Sequence, residues 1–98
     1  MESMRSAGKL QRIQDAQARL TSLRQESAVL GEQVAAFQEM ADDLRLRQLV
    51  AETPLSEREY SEAKRHADAA QAAMDRLRVE SSELEAAINR MLLELEVV

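Results

Sequence analysis

From Ile13 onward, apolar side chains return at alternating steps of three and four: Ile13, Ala16, Leu20, Leu23, Leu30, Val34, Phe37, Ala41, Leu44 and Ala51, with only Ser27 and Gln48 intervening. The same rule restarts at Tyr60 and runs through Ala63, Ala67, Ala70, Met74, Leu77, Leu84, Ile88, Met91, Leu95 and Val98, broken only by Ser81. A mean spacing of 3.5 residues is the mark of helices that wind around a partner in a left-handed supercoil. The pattern predicts two long helices, one over about residues 3–51 and one over about 57–96, in a single domain. Residues 1–12 continue helical but more weakly, with Ser3 or Ser6 as candidate caps.

Between the two runs lies Thr53 to Tyr60, where Pro54 removes a backbone donor and disfavours helix at the residue before it. Ser56 and Glu59 have the spacing of a capping box, and Leu55 and Tyr60 that of a hydrophobic staple. A turn over 52–56 is therefore expected, with Ser56 as the cap of the second helix. Two seams of similar length joined by a short connection fold back on each other most economically. The expected class is all-α, a long antiparallel two-helix coiled-coil hairpin.

Setting Ala51 opposite Tyr60 pairs Leu44 with Ala67, Ala41 with Ala70, Phe37 with Met74, Val34 with Leu77, Leu23 with Ile88 and Leu20 with Met91. Large residues meet small ones in several of these layers, as a filled core requires. Charge agrees: Arg5, Lys9, Arg12, Arg19 and Arg24 come to the same end as Glu80, Glu83, Glu85, Glu94 and Glu96. A parallel homodimer would set like charges side by side. Each arm is expected to reach roughly 60 to 70 Å at 1.5 Å per residue.

Two groups of apolar residues lie off the seams: Met40, Leu46, Leu49 and Val50 near the turn, and Leu92, Leu93 and Val97 near the chain end. They are the candidate partner-binding residues, either for a second copy, giving a four-helix bundle dimer, or for another protein. Gly31 sits inside the first helix with no turn to account for it. Close approach of another helix and a tolerated flaw explain it equally well.

Composition narrows the function. With two Gly, one Pro and one Phe in 98 residues there is little material for turns or a thick core, and charged residues make up 32%. The net charge of -5 and the near absence of aromatic rings disfavour nucleic acid and anionic membrane as direct partners. No apolar run approaches the ~20 residues that cross a bilayer, and the first residues do not resemble a cleaved leader, so the cytoplasm is the expected location. There is no Cys, hence no thiolate nucleophile and no zinc cage of that type.

The lone His66 has Glu62 and Asp68 within reach of its own helix, too few ligands for a metal site. Acid pairs such as Glu57 with Glu59 and Asp42 with Asp43 have no pocket to split their acidities. No phosphate loop, nucleophile elbow or HExxH is present. The expectation is no catalytic residue, no metal and no cofactor, and a protein that acts by contact with other proteins as an adaptor or regulator.

Two stretches resemble known families. Residues 57–75 partly resemble the cyclic-di-GMP motif of the RsiG-type anti-sigma factors, Glu-x3-Ser-x2-Arg-x3-Gln-x3-Asp. Glu57 and Ser61 match, Lys64 takes the place of the arginine, and Gln71 and Asp75 come three residues late. That resemblance implies an antiparallel helical hairpin with a dinucleotide held by Glu57, Ser61, Lys64, Gln71 and Asp75. Residues 54–60 look like the coiled-coil tip of Gre-type transcript cleavage factors, with Leu55, Ser56, Glu57, Glu59 and Tyr60 matched and Pro54 in place of the first acid. Both resemblances imply transcription machinery, a sigma factor or RNA polymerase, as the partner.

Overall fold

The computed structural model describes residues 2–96, with side chains described for 5–95. Two helices account for it: α1 (Glu2–Ala51) and α2 (Pro54–Glu96), joined by Glu52 and Thr53 to make an all-α helical hairpin. The chain divides into two compact units: one combines residues 27–76 around the turn, and the other combines 1–26 with 77–98.

The turn unit begins with a tighter reversal than the sequence suggests. α1 ends at Ala51, where the Pro54 argument places it. Glu52 then adopts φ 48°, and its N–H donates to the Gln48 carbonyl at 2.8 Å, a left-handed C-terminal cap. Glycine is the usual occupant of that conformation, because a Cβ crowds the following carbonyl. The next residue, Thr53, already caps α2. Its Oγ1 accepts from the Ser56 N–H at 3.1 Å and its carbonyl from the Glu57 N–H at 3.0 Å, while the Thr53 N–H donates to Ser56 Oγ at 3.2 Å.

The expected cap at Ser56 is thus corrected to Thr53, and the expected turn over 52–56 contracts to two residues. Pro54 becomes the first residue of α2, the position where its missing donor costs nothing and its φ is already helical. Ser56 serves as the third helical residue, reciprocating the cap. Leu55, expected to pair with Tyr60 in a staple, is the second helical residue and 65% exposed.

The heptad seam is met closely. Taking Ile13 as position a, the a and d residues of α1 from Ile13 to Gln48 are buried or half-buried, as are those of α2 from Tyr60 to Leu95. Ala51, at the turn, is exposed, and Val98 lies outside the described residues. Within the turn unit the core is Val34, Ala41, Ala63 and Ala67, with Phe37 half-buried and set edge-on to His66, ring centroids 6.0 Å apart. Within the other unit it is Ile13, Leu20, Leu23 and Ile88, and Leu23 is fully buried.

The layering differs from expectation. Met74, expected opposite Phe37, lies at Gly31, where an added Cβ would stand 3.4 Å from its Cε. Phe37 meets His66, the neighbour of Ala67. In the other unit Arg19 meets Glu80 and Arg24 meets Glu85, pairs that fit the same displacement. With Gln38 meeting Gln71 as well, these contacts displace the facing residues by about one heptad, a register in which Ala41 comes opposite Ala63 and Leu44 opposite Tyr60. The physical reason is that a slip of seven residues exchanges every a or d position for its equivalent, so the apolar pattern is satisfied either way.

Candidate interaction surfaces

The residues singled out beside the turn do stand free of the seam. Leu46, Leu49 and Val50 occupy positions f, b and c in the last turns of α1, on the side opposite α2, and are 65%, 62% and 88% exposed. Met40, at position g, is exposed on the flank. Leu55, in the first turn of α2, is a further exposed apolar residue in this unit. It was read as part of a staple, and only the earlier cap releases it. Arg47 beside the strip is paired with Asp43 at 3.1 Å, one helical turn away.

In the other unit Leu92 and Leu93 hold positions e and f and are exposed. Val97 lies outside the described residues. Leu10, which sequence reasoning passed over, is exposed too; its e position, flanking the seam, was the available signal. Val29 and Val79 are also exposed but stand singly on their helices, which is ordinary for a protein surface.

Charge dresses the unit of the chain ends. Arg19 donates to Glu80 at 3.0 Å and Arg24 to Glu85 at 2.8 Å. Arg19 and Glu80 hold g positions, Arg24 and Glu85 e positions, so the two bridges straddle the seam. All four side chains are about half exposed, which limits each pair to the weak regime of surface ion pairs. Across the seam of the turn unit there is instead an uncharged contact, Gln38 Nε2 donating to Gln71 Oε1 at 3.5 Å.

The five residues of the dinucleotide resemblance fall on one stripe of α2. Glu57, Lys64 and Gln71 are at e positions and Ser61 and Asp75 at b positions, and all but Gln71 are exposed. Two of them bond along their own helix, Lys64 Nζ donating to Asp68 at 3.3 Å and Gln71 Nε2 to Asp75 at 3.0 Å, while Gln71 Oε1 accepts from Gln38 of α1. A hollow of about 320 Å³ between the helices is lined by Gln38, Arg45, Tyr60, Lys64 and Asp68, among others. Of the five residues only Lys64 borders it, so the stripe is continuous but does not close around one cavity.

His66 is exposed and packed on the Phe37 edge. Among the described residues no three His, Cys, Asp or Glu side chains come together in a way that could hold a metal ion. No helix among them is long and apolar enough to cross a membrane. No family model, curated protein or solved structure matches the chain.

Proposed function

We propose that this hairpin is a non-enzymatic protein of the cytoplasm that acts as an adaptor or regulator by docking other helices, and that it pairs with a second copy into a four-helix bundle. The observation that carries this reading is the strip of Leu46, Leu49 and Val50, exposed on the face turned away from α2. Apolar side chains at helical spacing are what a helix-in-groove or helix-on-helix contact uses, with charged neighbours selecting the partner. Leu92 and Leu93 offer a second, smaller area.

The test is a triple variant, Leu46→Glu with Leu49→Glu and Val50→Glu, and separately Leu92→Glu with Leu93→Glu. Each set should abolish its association, seen as a lower mass by light scattering or loss of the co-purifying protein, with helical circular dichroism nearly unchanged. Unaltered mass and unaltered recovery in both sets would remove these surfaces from consideration.

A second reading, a transcription regulator that captures a sigma factor or RNA polymerase and responds to cyclic di-GMP, is supported by the stripe of Glu57, Ser61, Lys64, Gln71 and Asp75 on α2. Titration calorimetry with cyclic di-GMP decides its ligand branch. Heat that disappears on Lys64→Ala sustains it, and no heat at high micromolar ligand removes it.

A further inference from the structure

We infer that the hairpin is a two-register device, in which α2 slides along α1 by one heptad between the observed pairing and a second one written into the same sequence. The slide is about 10 Å, seven residues at 1.5 Å each. Four independent features of the chain point to it.

The seam stays mostly apolar in both registers, with Ser27, Gln48 and Ser81 as its polar positions. In the observed one Ala41 lies opposite Ala63 and Leu44 opposite Tyr60. One heptad on, Ala41 faces Ala70, Leu44 faces Ala67, Phe37 faces Met74, Leu23 faces Ile88 and Leu20 faces Met91, all of them apolar pairs.

The turn carries two overlapping caps. Thr53 with Ser56 is the one in use. Ser56 with Glu59, flanked by Leu55 and Tyr60, is a complete second capping box and staple, and it is idle in the observed register. Adopting it lengthens the connection by three residues, the slack that a shifted α2 needs.

The observed turn also holds a non-glycine residue, Glu52, at φ 48°, a strained conformation that a longer connection releases. Finally, what opposes sliding in the turn unit is weak: the cross-seam bond from Gln38 to Gln71 is 3.5 Å long. The core of this unit is largely alanine, which makes shallow knobs, and its polar seam residues, Ser27 and Gln48, are half-buried rather than buried. The charges bordering the hollow there, Arg45 and Lys64 with Asp42 and Asp68, are balanced in number, and Lys64 is already paired with Asp68. The Arg19–Glu80 and Arg24–Glu85 bridges hold the observed register as the ground state.

Ligands or partners that grip one turn geometry would shift such a balance in proportion to their preference for it. The inference does not depend on which partner the exposed strips bind.

Because the chain has no Cys, paired thiols can be introduced without background. Ala41→Cys with Ala63→Cys, and Leu44→Cys with Tyr60→Cys, report the observed register. Ala41→Cys with Ala70→Cys, and Leu44→Cys with Ala67→Cys, report the shifted one. Each full-length variant is oxidised at high dilution, and closure within one chain is followed by mass and gel mobility, with helicity checked by circular dichroism.

Both kinds of pair should close, the shifted ones more slowly. Thr53→Ala, which removes the cap in use, should speed closure of the shifted pairs about fivefold, the weight of one helix cap. Glu59→Ala, which disables only the idle capping box, should slow it. The inference is overturned if both shifted pairs stay reduced while an observed-register pair closes, or if shifted-pair closure ignores both cap variants. It is overturned equally if neither observed-register pair closes, since the slide starts from that register.

Discussion

The unit around the turn and the unit of the chain ends solve the same packing problem with different residues. Beside the turn the buried positions are Val34 and the alanines 41, 63 and 67, and the cross-helix polar contact is between two uncharged amides. At the chain ends they are Ile13, Leu20, Leu23 and Ile88, and two ion pairs bracket the seam. A two-residue turn holds the first pair of segments together at small entropic cost, so small side chains suffice there. The terminal segments have no such tether in sequence, and burial of large aliphatic groups, at about 1.5 to 3 kcal/mol for each fully buried side chain, must hold them. In this hairpin the larger buried side chains belong to the segments that no short connection ties together.

That contrast can be broken most directly at Leu23. Leu23→Ala removes the fully buried side chain and should cost roughly 2 to 5 kcal/mol, read as a large fall in urea midpoint followed by circular dichroism. Val34→Ala in the turn unit should cost less. Equal losses at the two sites would dissolve the comparison.

Two changes in the turn unit should instead stabilise. Gly31→Ala should gain about 1 kcal/mol, because the new methyl group meets only the flexible end of Met74 at an ordinary contact distance. A fall in melting temperature would show that the Gly31–Met74 approach is tighter than 3.4 Å allows. Glu52→Gly should gain somewhat less, of order 0.5 to 1 kcal/mol, by relieving the left-handed backbone, offset in part by the greater freedom of an unfolded glycine. An unchanged melting temperature would mean that the two effects cancel.

The smallest effect belongs to the ion pairs. Arg24→Glu should cost less than about 1 kcal/mol, since the pair is half exposed. The swap Arg24→Glu with Glu85→Arg should restore most of the loss, and the coupling measured by the double-mutant cycle should shrink at 1 M salt. Coupling that persists at high salt would place the bridge in a drier setting than its exposure indicates.

Much of this architecture was legible along the chain. The seam positions, the end of α1, the meeting of arginines with glutamates, and the exposure of Met40, Leu46, Leu49, Val50, Leu92 and Leu93 all follow from period and chemistry. The cap was misplaced because Thr53 and Ser56 both carry the hydroxyl that caps require, three residues apart, with Pro54 compatible with either choice. Leu55 was missed as an exposed residue for the same reason. The neighbour of Gly31, Met74, was not legible because it lies far along the chain on the other helix.

Heptad spacing was enough to dictate which face of each helix is buried, because apolar burial depends on the side a residue occupies and hardly on which apolar neighbour it meets. Which residues stand opposite one another was decided only in three dimensions. A heptad pattern displaced by seven maps onto itself, so the choice falls to features that the period does not encode: the two-residue reversal at Glu52 and Thr53, and the reach of Arg19 and Arg24 across the seam.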